Sequence, residues 1–445
     1  MEGFAQTSII GDKKFREVLL LCLVNSVFLS FAHIFNSSIA IYVASISICV
    51  QILLTPENYY FPVVLYYYNW STIMRVSATS TSIATYCSIL YLFVFLLRRN
   101  FRSSPKVLVP SALLFIVSLV GSFFSGDVFS TSFIKFLSML IFTPLYYNAV
   151  KDIIDFKICV WMCVLGIFTS FGTALIFSKY THLSEFLQVS YSFSGAYTRM
   201  AGLTAGDSNG SASWIIVGIG SLLVMFDREN IKAKLLSVTS IVLLIICAFQ
   251  SVSKAFLFTL ALTLIAYGVF FLFSSKIQHK GLVFIFLAVA ATVFLSLPIV
   301  RDSIDVYLIR LEQAESSGDL TTGRTAIWKN YLSYFFSSPR VLLIGNGLSS
   351  RSVSQVSAVY YCAAHNTLLQ IIFQCGVVGG AVLFYWLGNF KGNKHGANFK
   401  RTAKIVLLMI SYYLMWLSLD RMFFDAFFYT ILLFAIGRNW LTNNA

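Results

Sequence analysis

The chain has 445 residues, 58% of them hydrophobic and only 11% charged, with a mean hydropathy of +0.79. That balance excludes an ordinary soluble enzyme and points to an all-α polytopic membrane protein, a single integral membrane domain over residues 1–445. A net charge of +14 would suit nucleic acid, but the basic residues are scattered through short loops and no basic soluble domain exists to hold a duplex.

In chain order, apolar runs lie near 17–35, 38–54, 82–98, 107–124, 132–150, 157–178, 211–227, 234–251, 255–273, 281–299, 366–388, 405–420 and 423–438, with a weaker one at 59–75 containing Pro62 and Asn69. They should be helices, because a spanning segment must satisfy its own backbone hydrogen bonds and the alternation of barrel strands is absent. No small-residue cleavage site follows the first run, so it reads as a retained helix. Lys13, Lys14 and Arg16, then Arg98, Arg99, Arg102 and Lys106, then Arg228, Lys232 and Lys234, Lys276 and Lys280, and finally Lys391, Lys394, Lys400, Arg401 and Lys404 fall in loops that the positive-inside tendency places in the cytoplasm. Both termini go with them. An even number of crossings before Arg98 requires the weak 59–75 segment to span, which gives about fourteen helices, with twelve or thirteen as alternatives.

The same topology puts 179–210, 251–254 and 300–365 outside. The last is one long polar excursion carrying Arg301, Arg310, Arg324, Lys329, Arg340 and Arg351 against Asp302, Asp305, Glu312, Glu315 and Asp319. These charges suit a solvated amphipathic surface. As a set they also suit a polyanionic lipid headgroup, since arginine captures phosphate with two parallel hydrogen bonds.

The eight cysteines, Cys22, Cys49, Cys87, Cys159, Cys163, Cys247, Cys362 and Cys375, lie mostly inside apolar runs without paired or metal-like spacing, and only Cys362 falls near the outer surface. His33, His182, His279, His365 and His395 are dispersed, and no metal motif or nucleotide fingerprint is present. No cofactor is expected, and any energy source resides in the substrate.

Four outer-side patterns remain. Arg199-Met-Ala-Gly202 runs through Asp207, Asn209 and Gly210 into a helix at Ser211; Ser253-Lys254-Ala255 places a cation at a helix mouth, as a snorkelling lysine also would. Gly323-Arg324 precedes Ile327, Trp328, Tyr331, Leu332 and Phe335, spaced as a short helix on the membrane surface, followed by Pro339 and Gly345-Asn346-Gly347. Last, His365-Asn366 stands nine residues before Gly376, with Gly379 three further on. Such glycines also serve close helix packing, and a histidine at a helix entrance is often only a cap.

In this order and on one side, the patterns from Arg199 to Gly379 resemble the lipid-linked O-antigen ligase and polymerase superfamily, most specifically at Gly323-Arg324 and at the His365-Asn366 to Gly379 block. The first 180 residues match only in hydrophobicity. The resemblance implies a bacterial inner-membrane glycosyltransferase with a GT-C-like fold and a periplasmic site, working without metal on an undecaprenyl-diphosphate-linked oligosaccharide. It implies Arg324, Lys254 and Arg199 as the diphosphate clamp, His365 as general base, and Asn366, Gly323, Gly376 and Gly379 as support. His182 and Asp425 are reserve bases. A flippase and a chain-length regulator are the membrane partners it suggests.

Ligases usually carry arginine where this chain has Lys254, which favours a polymerase over a ligase. A transporter or flippase is the reading from another class, but its midplane charges and paired halves are missing, Lys135 being the main charge inside a strong run. A lipid-linked substrate further requires a lateral groove between helices beneath the long loop. The 43 Phe and 23 Tyr suit that groove and equally an ordinary lipid-facing surface.

Overall fold

A computed structural model of the chain describes residues 12–74, 82–98, 105–125, 131–187, 190–191, 198–199, 202–204, 208–226, 229–273, 296, 298–316, 324–347, 364–390, 399–420 and 425–443. The helices are α1 Lys13–Ile34, α2 Ser38–Leu54, α3 Glu57–Tyr68, α4 Ile83–Arg98, α5 Pro105–Ser125, α6 Thr131–Val150, α7 Phe156–Phe177, α8 Ser208–Met225, α9 Ile231–Phe249, α10 Lys254–Phe273, α11 Pro298–Ser316, α12 Arg324–Ser337, α13 Pro339–Ile344, α14 Thr367–Leu387, α15 Phe399–Tyr413 and α16 Asp425–Asn443. Short 3-10 turns cover Thr181–Leu187 and Leu414–Ser418, and β1 (Ser190–Tyr191) pairs antiparallel with β2 (Thr198–Arg199). Among the described residues, seven helices are long and apolar enough to cross a membrane, and the protein is an all-α polytopic membrane protein. Residues 281–295 and 297 of the apolar run at 281–299 lie outside the described residues, as do Cys362, Gly323 and Asp207.

Burial separates central from peripheral helices. Every residue of α8 is buried, as a helix apolar all round must be when other helices surround it. α3 is buried nearly throughout, its tyrosines packed in aromatic pairs such as Tyr60 stacked on Tyr91 at 3.8 Å. α1 and α2 instead leave Leu20, Val24, Phe31, Ile39 and Ile46 exposed, the pattern of a face turned to lipid.

Polar contacts between helix ends sort onto two sides. On one, Tyr59 Oη donates to Asp12, holding its carboxyl below the usual range, while Asp12 also caps α1. With these lie Tyr146 Oη on the Glu57 carbonyl (2.7 Å), Lys157 against Glu229 (2.8 Å), Lys404 Nζ on the Val224 carbonyl (3.1 Å) and Asn439 on the Lys151 carbonyl (2.7 Å). On the other, Trp70 Nε1 donates to Thr169 (3.2 Å), the Thr72 N–H to the Leu203 carbonyl (3.0 Å), and Lys135 meets Asp425 at 3.3 Å. The chain through α3 and its following turn is fastened at Tyr59 at one end and at Trp70 and Thr72 at the other.

Three expectations shift in detail. Asn209 and Gly210 are not a loop before the helix but its first turn, since α8 begins at Ser208. The 405–420 run is not one helix: α15 ends at Tyr413 and tightens into the 3-10 turn. The described part of the long polar excursion is largely helical, carrying α11, α12 and α13.

Candidate functional site

The Asn366 side chain caps α14, accepting from Leu368 N (3.0 Å) and Leu369 N (3.3 Å). His365, just before the cap, sits at φ 47, a left-handed conformation that a side-chain-bearing residue keeps only when its surroundings hold it. Asp420 does so: its Oδ2 accepts the His365 backbone N–H at 3.1 Å and lies 3.3 Å from His365 Nδ1. Thr367 Oγ1 donates to the Leu419 carbonyl at 2.5 Å, so His365 and Thr367 are fastened to the neighbouring Asp420 and Leu419. The imidazole is 39% exposed and the carboxylate 11%, leaving the ring reachable and its partner screened.

Arg324 opens α12. The expected surface helix forms, but its apolar stripe docks on the protein: Tyr331 and Phe335 are buried in a cluster with Val341, Ala364 and Phe373, while Leu332 and Phe336 stay exposed. Trp328 Nε1 donates to the Ala364 carbonyl at 2.9 Å. Thus the residue one turn past Arg324 holds, through its side chain, the residue just before His365.

Gly376 does more than permit close helix packing. At φ 65 it breaks α14, and the chain around Gly345-Asn346-Gly347 fills the break: Asn346 N donates to the Phe373 carbonyl and Gly347 N to that of Gln374, both at 2.8 Å. A Cβ on Gly376 would lie 2.2 Å from the Leu343 oxygen, and one on Gly345 2.3 Å from the Gln374 oxygen. Gly379 faces α5, where a Cβ would meet Val117 at 3.3 Å. The junction also absorbs one arginine of the long loop. Arg340 donates to the Gly345 carbonyl and to Asn346 Oδ1 and stacks 5.0 Å over the Phe124 ring.

Lys254 is the first residue of α10, capped by Ser253, whose Oγ accepts Phe256 N at 3.3 Å. Tyr307 Oη of α11 donates to the Ser253 carbonyl, and α10 packs on the 414–418 turn that leads to Asp420. Lys254 and Arg324 therefore both stand at helix N-termini, where the helix dipole disfavours a cation and favours an anion; neither is placed for the sake of its helix. Arg199 ends β2, its backbone pairing with Ser190, and the adjoining Gly202-Leu203 segment is fastened to Ser170 and Thr72.

The reserve bases are engaged elsewhere. His182 Nε2 lies 3.3 Å from the His33 carbonyl, and Asp425 is held by Lys135 and Thr85 in a nearly buried cluster. Sequence spacing did not point to Asp420, and it marked Trp328 only as part of an apolar helix face, not as a donor to Ala364. The one available signal was a single carboxylate, Asp420, closing an apolar run.

Residues 239–384 match a family model, Wzy_C, described as O-Antigen ligase. The matched segment contains Lys254, Arg324, His365, Asn366, Gly376 and Gly379, and leaves Arg199 and Asp420 outside. No curated protein and no solved structure matches the chain. Residues 239–384 are thus similar to that family, and the match supports the O-antigen ligase/polymerase superfamily as what the chain resembles.

Proposed function

We propose that the protein is a polymerase of O-antigen or a related surface polysaccharide, joining undecaprenyl-diphosphate-linked repeat units by glycosyl transfer at the periplasmic face of the bacterial inner membrane. The observation that carries it is the His365–Asp420 pair at the head of α14, on the side of the bundle where α10 and α12 begin with Lys254 and Arg324.

With Nδ1 directed to Asp420, His365 holds the tautomer that presents Nε2 as base. Nε2 takes the proton of the acceptor hydroxyl as its oxygen bonds to the donor sugar C1. The C1–oxygen bond to the lipid diphosphate breaks, and the electron pair leaves with the phosphate. Arg324, Lys254 and Arg199 receive that developing charge; a fixed donor of this kind contributes about 3–4 kcal/mol to lowering the barrier. Cationic side chains thereby take the role a metal would otherwise have. Asn366 and Gly376 act by holding the turn and the break on which His365 stands. A flippase delivering repeats and a regulator of chain length are the membrane partners this activity calls for.

Lys254, where ligases usually carry arginine, favours the polymerase. The match to a family described as O-antigen ligase keeps transfer to a lipid A core as the second reading. A deletion strain whose lipopolysaccharide carries one repeat per core supports polymerisation; loss of all glycan from the core with long lipid-linked polymer accumulating supports ligation instead. Purified protein in lipid nanodiscs should elongate lipid-linked repeats without ATP and in the presence of EDTA. Failure to make any glycosidic bond there would overturn both.

A further inference from the structure

Among the described residues, three that carry a side chain have a left-handed backbone: Asn36 at φ 50, and Val252 and His365 at φ 47. Asparagine tolerates that conformation, and His365 is held in it by Asp420. Val252 is the outlier, because a β-branched side chain crowds its own backbone at positive φ and glycine is the usual occupant just past a helix. It lies in the turn after α9, its N–H donating to the Phe249 carbonyl at 3.1 Å, and stands two residues before Lys254. What valine supplies and glycine would not is a side chain, buried here in a cluster with Phe249 and Tyr307. Strain of this kind persists only where the surroundings over-determine it.

Tyr307 reaches the turn from α11, the first helix of the long polar excursion. Of the α11 side chains described, Tyr307 alone is buried, while Leu308 and Ile309 beside it are exposed. Its ring stands edge-on to Phe249 at 6.0 Å, and its Oη donates to the Ser253 carbonyl at 3.3 Å. That oxygen shares one rigid peptide plane with the backbone N and Cα of Lys254. It also accepts the first backbone bond of α10, from Leu257 N at 3.3 Å. Whatever holds the Ser253 carbonyl therefore sets the start of α10 and the point from which the Lys254 side chain departs.

We infer that Tyr307 is a positioning residue for Lys254, so that the seating of α11 on the turn after α9 and the placing of this cation are coupled. The inference rests on the reading of Lys254 as a ligand of the substrate diphosphate. Tyr307 acts through the strained turn alone. Its hold matters because a group misplaced by about 1 Å from the atom it serves can lose about 100-fold in rate.

The test is a double-mutant cycle on the full-length protein in nanodiscs, read as kcat/KM on a lipid-linked repeat. Tyr307→Phe keeps the ring in its cluster and removes only the hydroxyl, and should lower kcat/KM about fivefold. In a Lys254→Ala background the same change should cost less than about twofold, because the residue through which it acts is gone. A fivefold loss in both backgrounds shows a general packing role, and no loss in either shows none; both overturn the inference. Leu308→Ala, on the exposed side of α11, should stay within about twofold of wild type. A loss matching that of Tyr307→Phe would overturn the inference as well. If Lys254→Ala turns over too slowly to measure, amide exchange without substrate decides: residues 251–257 should exchange faster in Tyr307→Phe while α1 keeps its rate, and unchanged exchange at the turn sinks the proposal. A wild type that forms no glycosidic bond refutes the enzymatic reading instead, and the exchange then judges the hold of Tyr307 on the turn by itself.

Discussion

Asp420 grips His365 twice, through the backbone N–H and through Nδ1, with a single carboxylate oxygen serving both. The first contact fixes the left-handed turn and the second orients the ring, so the loss of charge and the loss of geometry can be separated. Asp420→Asn keeps the size but can no longer favour the required tautomer or stabilise the imidazolium. Its kcat should fall about 100- to 10,000-fold with little change in KM. Unchanged kcat in Asp420→Asn would show that His365 does not work as a base.

Arg324 and Lys254 should differ in what replaces them. Arg324→Ala should cost about 3–4 kcal/mol in kcat/KM, and Arg324→Lys should recover part of it by restoring charge without the fork. Lys254→Ala should be similarly impaired, whereas Lys254→Arg should stay within about tenfold of wild type, since it keeps the charge. Steady-state kinetics on a lipid-linked repeat decides each. Full activity in both alanine variants would remove them from the diphosphate clamp.

The contrast between Arg324 and Arg340 shows what the sequence could and could not tell. Both are arginines of the same polar excursion, and only the structure reveals that Arg340 is consumed in holding Gly345 and Asn346. The helices were readable because hydrophobic length is a local property, and so was the order Arg199, Lys254, Arg324, His365. The partner of His365 was not, because Asp420 is 55 residues away and reaches it only after α14 and α15 have each run their length. Gly376 and Gly379 were recognisable as a pair, yet one is a backbone break and the other a close contact with α5. That difference depends on the Gly345–Gly347 segment, which carries no periodicity of its own.

Trp328 ties α12 to the residue before His365, and the tie is one hydrogen bond. Trp328→Phe keeps an aromatic ring but loses the donor, a change of about 1 kcal/mol in the anchoring of Arg324's helix. kcat/KM should drop about fivefold, and amide exchange should quicken in α12 while the distant α7 is unaffected. No change in exchange at α12 would mean that its apolar stripe alone holds it.

Gly376→Ala should be among the most damaging small changes in the chain. The new methyl would lie 2.2 Å from the Leu343 oxygen, on a residue at φ 65. Left-handed strain of about 1–2 kcal/mol adds to overpacking of about 1–3 kcal/mol. Gly172→Ala in α7 is the control, because a Cβ there meets nothing within 4 Å and alanine is the better helix former by about 1 kcal/mol. Thermal unfolding in detergent should move down for the first and not for the second; equal shifts would refute the break at Gly376.

Lys135 and Asp425, 3.3 Å apart with side chains only 14% and 10% exposed, join α6 to the head of α16, and Thr85 of α4 donates to the same carboxylate. A charge taken out of water is tolerable while its partner is present and costly once the partner is gone. Lys135→Met or Asp425→Asn alone should therefore each destabilise by about 3–5 kcal/mol, whereas Lys135→Met with Asp425→Asn should lose much less than the sum. The double variant also separates architecture from chemistry: if Asp425 only holds helices together, restoring stability restores turnover. A double variant that folds as well as wild type yet makes no glycosidic bond would return Asp425 to the list of bases.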